Sequence, residues 1–142
     1  MAMALRISST ILERITAEAI AFSDREVCGL LLGTGDRVLE ARSCRNVAAD
    51  PAVRFEIDPA ALLAAHRAAR RGGPAVIGHY HSHPSGLVEP SPRDAADAVA
   101  DGSIWLIAAG GRVTGWRAVE NGALHGRFVP LRLRGAAGRA TG

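Results

Sequence analysis

Lysine is absent from this sequence of 142 residues, in which all 17 basic residues are arginine. Aromatic residues make up only 4% of the chain, so it offers no obvious platform on which nucleic-acid bases could stack. The arginines are scattered among 14 acidic residues, and the net charge is only +3. Nucleic-acid-binding proteins instead cluster their basic residues on one face. We therefore expect no nucleic-acid partner.

Long apolar runs are also missing, and no stretch approaches the ~20 residues that a membrane-spanning helix needs. Charged residues interrupt the apolar residues at the N-terminus, which does not resemble a secretory signal. The two cysteines, Cys28 and Cys44, form neither a CxxC pair nor a disulfide framework. We therefore expect a cytoplasmic, reduced protein with no membrane partner.

Hydrophobic residues make up 48% of the chain, which is enough to fill the core of one domain of this length. The apolar periodicities predict about eight strands and three helices, arranged as a central mixed sheet covered by helices. The best-defined helix starts at the cap Asp58 and at Pro59 and ends before a Gly-Gly pair. We also predict a strand at 54–57 and a helix at 91–102. Residues 1–133 form the predicted domain and 134–142 a flexible tail.

Three histidines, His79, His81 and His83, occupy alternate positions where a predicted strand runs into a proline-rich loop. Alternate residues of a strand point to the same face, so His81 and His83 can present both rings to one point. Asp94 follows eleven residues after His83, in the first turn of the next predicted helix. Two histidines and a carboxylate leave the fourth zinc position open for water, as in catalytic zinc sites.

A metal-bound water needs a nearby general base to become a nucleophile. Glu26 and Glu89 are the two candidates. Glu89 lies in a loop between Val88 and Pro90, whereas Glu26 immediately precedes the apolar strand predicted at 27–33. An acid at the entrance of a buried strand is costly without a purpose or a partner, which favours Glu26.

Simpler explanations account for parts of this pattern. Ser91, Pro92 and Asp94 form an ordinary helix start, and histidines at alternate strand positions can simply face solvent. Two histidines and a carboxylate also form the facial triad of non-haem iron oxygenases. The HxH, the loop, the SxxD spacing and the upstream Glu26 together match hydrolase chemistry better.

The stretch HSHPSGLVEPSPRD, with Glu26 upstream in REVCGLLLG, resembles the HxHx(7)SxxD signature of the JAMM/MPN (JAB domain) zinc metalloproteases of the compact prokaryotic type. The segments NVAADPAVRFEIDP and IWLIAAG extend the resemblance over most of the chain. It implies a single α/β domain with a curved mixed β-sheet flanked by helices, similar to the zinc deaminases. It further implies that His81, His83 and Asp94 hold zinc, that Glu26 activates the zinc water, and that Ser91 supports the water and the oxyanion.

The same resemblance implies hydrolysis of a peptide or isopeptide bond at the C-terminal tail of a small ubiquitin-like or sulfur-carrier protein. The helix from Ser91 leads almost directly into SIWLIAAG, which leaves no room for the ubiquitin-gripping insertion of eukaryotic relatives. A non-catalytic MPN-type interaction module is the alternative function, and a homodimer is compatible with the sequence. His79 is expected to be a buried neighbour of the site, because three ligands already suffice.

Overall fold

The computed structural model of the protein describes residues 3–135, which form seven strands and three helices. In chain order these elements are β1 (Ala4–Arg6), α1 (Ser9–Ala21), β2 (Cys28–Thr34), β3 (Arg37–Cys44), α2 (Pro59–Arg70), β4 (Ala75–Ser82), α3 (Pro92–Asp97), β5 (Ile104–Ala109), β6 (Arg112–Gly122) and β7 (Gly126–Arg134). The predicted mixed α/β domain is confirmed.

The sheet has the order β1-β3-β2-β4-β5-β6-β7 and closes into a barrel. Closure depends on the short first strand, because β1 pairs in parallel with both β3 and β7. Strand β2 runs antiparallel to β3 and β4, whereas β4 and β5 run parallel. The sheet is therefore mixed and curved, as expected, with helices packed against it.

Apolar residues cover both faces of the sheet, and the strand alternation sorts them. On one face, Leu31, Tyr80 and Leu106 pack against Ile15 of α1 in the largest core cluster. The opposite face carries two smaller clusters. One of them contains Leu30, Leu32 and Ala65 of α2. The other contains Trp105, Ala118 and Phe128, with Ala95 of α3 packed against them. His79 and His81 lie on this second face, beside Trp105.

Side chains cap the starts of the two longer helices. Ser8 caps α1 by accepting a hydrogen bond from the Ile11 amide at 3.2 Å. Asp58 caps α2 by accepting from the Ala60 amide at 3.0 Å, with Pro59 in the first turn. The predicted start of α2 is therefore confirmed, and at both helix starts a side chain satisfies a free amide group.

Two predicted elements are wrong. Residues 54–57 form no strand and contribute only an isolated bridge between Asn46 and Ile57, because the Asn46 side chain bonds backbone groups of this segment. The helix predicted at 91–102 ends at Asp97. Beyond it the chain turns toward β5, and the Gly102 amide bonds the Ala118 carbonyl at 2.9 Å.

No helix within residues 3–135 combines the length and hydropathy needed to cross a bilayer. Strand β7 ends at Arg134. The tail predicted at 134–142 therefore begins at the last strand residue, and its part beyond Gly135 lies outside the described residues. The boundary at residue 133 stays a prediction.

Candidate metal and catalytic site

The predicted site residues meet at the C-terminal end of β4. His81 is the penultimate residue of that strand, and His83 follows it, donating its amide to the Ala108 carbonyl of β5 at 2.9 Å. Because β2 is antiparallel to β4, the start of β2 lies beside the end of β4, with Cys28 opposite His81. The topology thus brings Glu26, which just precedes β2, to the same end of the barrel as His81 and His83.

Asp94 reaches this end of the barrel from the first turn of α3. Its amide donates to the Ser91 hydroxyl oxygen at 3.0 Å, and its Oδ2 accepts from the Ser91 amide at 2.8 Å. The two bonds form a capping box. The same Oδ2 faces the rings of His81 and His83. The Asp94 carboxylate therefore caps the helix and also occupies the proposed ligand position.

Three side-chain atoms converge on one point. The Nε2 atoms of His81 and His83 lie 3.1 Å apart, and they lie 3.3 and 3.1 Å from Asp94 Oδ2. Zinc–ligand bonds of about 2.0–2.1 Å at tetrahedral angles would separate neighbouring donor atoms by about 3.3 Å. All three residues are buried. Donor type and spacing therefore fit zinc.

The hydrogen bonds of His83 prepare one ring nitrogen for a metal. Its Nδ1 lies 2.8 Å from the Leu87 carbonyl oxygen, which can only accept a hydrogen bond, so Nδ1 carries the proton. In the neutral form of the ring, which is the form that binds a metal, Nε2 then carries a lone pair directed toward Asp94 and His81. A backbone carbonyl that orients a histidine in this way is a common support of metal ligands.

The charges of the three groups are strongly coupled. Burial opposes ionisation of Asp94, but hydrogen bonds from His81 and His83 outweigh it and lower the pKa of that carboxyl. Burial lowers the pKa of His81. Burial also acts against charge on His83, yet its bonds to Asp94 and to the Leu87 carbonyl raise its pKa overall. The cluster therefore holds an anionic carboxylate, which a cation would neutralise.

Glu26 is the second buried acid of the site. It is 6% exposed, and its Oε1 has no hydrogen-bond partner among the described residues. Burial raises the pKa of Glu26 from 4.5 to about 7, and the positive charge of His83 partly opposes this rise. A carboxyl group with a pKa near neutrality can both accept and release a proton. Glu89, the other candidate base, is exposed in its loop.

His79 lies outside the group of three convergent ligands. Its ring lies between Trp105, at 4.3 Å between ring centroids, and Phe55, at 5.2 Å. Burial, followed by the neighbouring His81, lowers the pKa of His79 to about 3. His79 is therefore a neutral neighbour of the site, as predicted, but it is only partly buried among the aromatic rings.

Phe55 is a site residue that the sequence analysis missed. Its ring stacks on that of His81, with centroids 4.2 Å apart and an interplanar angle of 19°. The residue comes from the segment that was wrongly predicted as a strand. Asn46 holds that segment in place. Its side chain donates to the carbonyls of Glu26 and Arg54 and accepts from the amides of Ala48 and Glu56. The signal available in the sequence was Asn46 itself, because asparagine side chains often bond nearby backbone groups in turns.

Two clefts are lined in part by residues of the site. One, of about 380 Å³, lies between α1, the end of β4 and the β5–β6 turn, and His83 and Arg112 are among its lining residues. The other, of about 310 Å³, is lined by Glu26, Asn46 and the end of α1.

Comparison with known proteins places these residues in a family context. The family model described as prokaryotic homologs of the JAB domain matches residues 8–122. A protein named desampylase from Haloferax volcanii is 39% identical over 92 residues, covering 63% of this chain and 66% of the relative. A probable TtuB-protein conjugate cleaving protease from Thermus thermophilus is 34% identical over 96 residues, covering 68% of this chain and 64% of the relative. The chain thus spans slightly under two thirds of each of these relatives.

Solved structures share the fold. A solution structure from Desulfitobacterium hafniense covers 92% of this chain and is itself covered to 92%, with a TM-score of 0.76 at 22% identity. A crystal structure of a JAB1/MPN domain protein from Archaeoglobus fulgidus covers 92% of this chain and is covered to 98%, with a TM-score of 0.58 at 21% identity. The observed barrel with its flanking helices is therefore the fold of JAB1/MPN domain proteins.

Proposed function

Because the chain belongs to the family of prokaryotic homologues of the JAB domain, we propose that it is a zinc-dependent hydrolase that cleaves a peptide or isopeptide bond. One observation carries the proposal. Glu26, a buried carboxylate with one oxygen that has no hydrogen-bond partner within residues 3–135, lies at the same end of the sheet as three convergent metal-ligand atoms. Such a pairing of base and open metal position is what metal-assisted hydrolysis requires.

In this proposal His81, His83 and Asp94 hold the zinc, in agreement with the spacing of their donor atoms. When bound, zinc supplies Lewis acidity that polarises the scissile carbonyl group and lowers the pKa of a water molecule. The capping box fixes the Asp94 carboxylate, and the Leu87 carbonyl fixes the His83 ring. Phe55 packs on the His81 ring and limits its rotation.

Glu26 moves the proton. Hydrolysis adds a hydroxyl group to the carbonyl carbon and a proton to the leaving nitrogen, so one group must take a proton from water and deliver it to the nitrogen. The raised pKa of Glu26, about 7 because of burial, suits it to both transfers near neutral pH. Its unpartnered Oε1 is the atom available for the proton.

Ser91 supports the oxygen of the reacting carbonyl. Its hydroxyl oxygen accepts a hydrogen bond from the Asp94 amide, which leaves its O–H group available to donate. A donor aimed at the oxygen that becomes negative stabilises the transition state. Ser91 thus serves as both helix cap and donor.

The substrate class we propose is the C-terminal tail of a small ubiquitin-like or sulfur-carrier protein, free or conjugated. Support comes from the matched relatives, which are named for desampylase activity and for cleaving protein conjugates. The two clefts, one lined by His83 and the other by Glu26, also offer space for an extended chain next to the site.

The test is a cleavage assay on a ubiquitin-like protein with a C-terminal extension, either linear or isopeptide-linked. We expect zinc-loaded wild-type protein to release the extension, and Glu26→Gln to lose at least about a thousandfold in rate while keeping its zinc. Glu89→Gln is the matched control, because this exposed glutamate should leave the rate within about twofold. Undiminished cleavage by Glu26→Gln would refute the mechanism.

The metal content of protein purified without added metal separates the remaining alternatives. Stoichiometric iron with oxygen-dependent turnover would replace the hydrolase proposal with an oxygenase. Binding of a ubiquitin-like tail without any cleavage by the zinc-loaded protein would instead indicate an interaction module.

A further inference from the structure

Ser82, the residue between the two histidine ligands, bonds the backbone beside Glu26. It is 3% exposed, and its Oγ accepts a hydrogen bond from the Val27 amide at 2.8 Å, across 55 positions of sequence. The Ser82 amide in turn donates to the Val27 carbonyl at 3.0 Å. Side chain and backbone of one residue therefore hold the residue that follows Glu26.

The same hydroxyl also reaches the residue before Glu26. Ser82 Oγ lies 3.5 Å from the Arg25 carbonyl oxygen and can donate to it. The serine thus brackets Glu26, accepting from the residue on its C-terminal side and donating to the residue on its N-terminal side. Alternation along β4 directs this side chain away from the face that carries His81, so Ser82 is not a metal ligand.

Glu26 needs such support because it lies outside the sheet ladder. Strand β2 begins at Cys28, and the backbone of Glu26 finds its partners in the loop after β3. Its amide donates to the Pro51 carbonyl at 2.7 Å, and its carbonyl accepts from Asn46 at 2.9 Å. The links from this segment to the strand that carries the ligands come from Ser82, through its backbone amide and its side-chain hydroxyl.

We propose that Ser82 is a positioning residue that sets the distance between the base Glu26 and the metal-ligand strand β4. The inference rests on the function proposed above for Glu26. Ser82→Ala, which replaces the hydroxyl group by hydrogen, would leave the buried Val27 amide without its partner. Residues 25–27 would then lose their side-chain tie to β4, while His81, His83 and Asp94 would keep their own contacts.

Kinetics of Ser82→Ala, Ser82→Thr and Ser43→Ala test the proposal. We expect Ser82→Ala to lower kcat about ten- to a hundredfold, because small displacements of a catalytic group have effects of this size. KM and zinc affinity should stay within about twofold. Threonine keeps the hydroxyl, and Ser82 lines the cleft beside His83, so Ser82→Thr should recover kcat to within about threefold. Ser43, an exposed serine bonded to Glu18 on α1, is the matched control and should have no effect.

Hydrogen exchange of the Val27 amide in the zinc-loaded protein gives a readout that does not depend on activity. We expect this amide to be protected in the wild type and in Ser82→Thr, and to exchange at least about tenfold faster in Ser82→Ala. If Ser82→Ala does not fold, the exchange rates of the Val27 amide in the wild type and in Ser82→Thr still test the proposal. A Val27 amide that exchanges as fast as exposed loop amides refutes the proposal.

Two kinetic results would also overturn it. Wild-type kcat in Ser82→Ala would mean that Glu26 needs no such support, and an equal loss of zinc affinity and kcat would mean that Ser82 acts through the ligands. If the wild-type protein cleaves no tail, the proposed function fails, whereas Val27 exchange still shows whether Ser82 holds the segment.

Discussion

Glu26→Gln should stabilise the zinc-free protein at alkaline pH, because the native carboxylate is buried with one oxygen unpartnered. Burial raises the pKa of Glu26 from 4.5 to about 7, with His83 opposing the rise. Each pKa unit corresponds to about 1.4 kcal/mol. Ionising Glu26 at about pH 8 therefore costs the folded chain about 3 kcal/mol relative to the unfolded chain.

The direction in which stability changes with pH follows from proton binding. The folded chain holds the Glu26 proton more tightly than the unfolded chain, in which the group titrates near 4.5. The free energy of unfolding therefore falls as the pH rises from about 4.5 to about 7, and the contribution of Glu26 is constant above that range. Glutamine has no such proton. The stability advantage of Glu26→Gln over wild type should grow by about 2.5 kcal/mol between about pH 5 and about pH 8.

Urea unfolding with a chelator present, at both pH values, measures this difference. Glu89→Gln, a change at an exposed glutamate, controls for the loss of one negative charge and should show no comparable growth with pH. An advantage of Glu26→Gln that is the same at both pH values would refute the inference that burial perturbs this carboxyl group.

Three further substitutions probe the surroundings of the site. Asp94→Asn should abolish stoichiometric zinc binding, measured by metal analysis, because it removes the charge of the cluster. Ser91→Ala should lower the free energy of unfolding by about 1 kcal/mol through loss of the helix cap, and it should also lower kcat, whereas a pure cap would leave kcat unchanged. Phe55→Ala should destabilise the protein by about 2 kcal/mol in urea unfolding, and it should weaken zinc binding by about tenfold in a chelator competition because the His81 ring loses its stacking partner. Unchanged zinc affinity in Phe55→Ala would mean that the ring only fills space.

The local elements were predictable where one side chain determines them. Helix α2 begins where Asp58 and Pro59 place its cap and first turn, and the sheet edge of the site follows from His81 and His83 at alternate positions. The spacing to Asp94 was informative because a helix start fixes the position of its third residue. These features depend on residues close together in sequence.

Features that depend on distant contacts were not predictable in the same way. The segment at 54–57 has the composition of a strand, but Asn46 takes up its backbone bonds and turns it into a loop that carries Phe55. Barrel closure depends on the three residues of β1 pairing with β7 at the other end of the chain. The sequence also contains no local sign that Ser82 bonds Val27.

The central claim is that one zinc ion, held by His81, His83 and Asp94, supports a hydrolysis in which Glu26 moves the proton. Titrating zinc into metal-free protein while measuring cleavage of a ubiquitin-like tail tests it most directly. The account predicts that activity rises linearly with added zinc and saturates at about one ion per chain, in line with a single three-ligand cluster among the described residues. Full activity after complete removal of metal would contradict it.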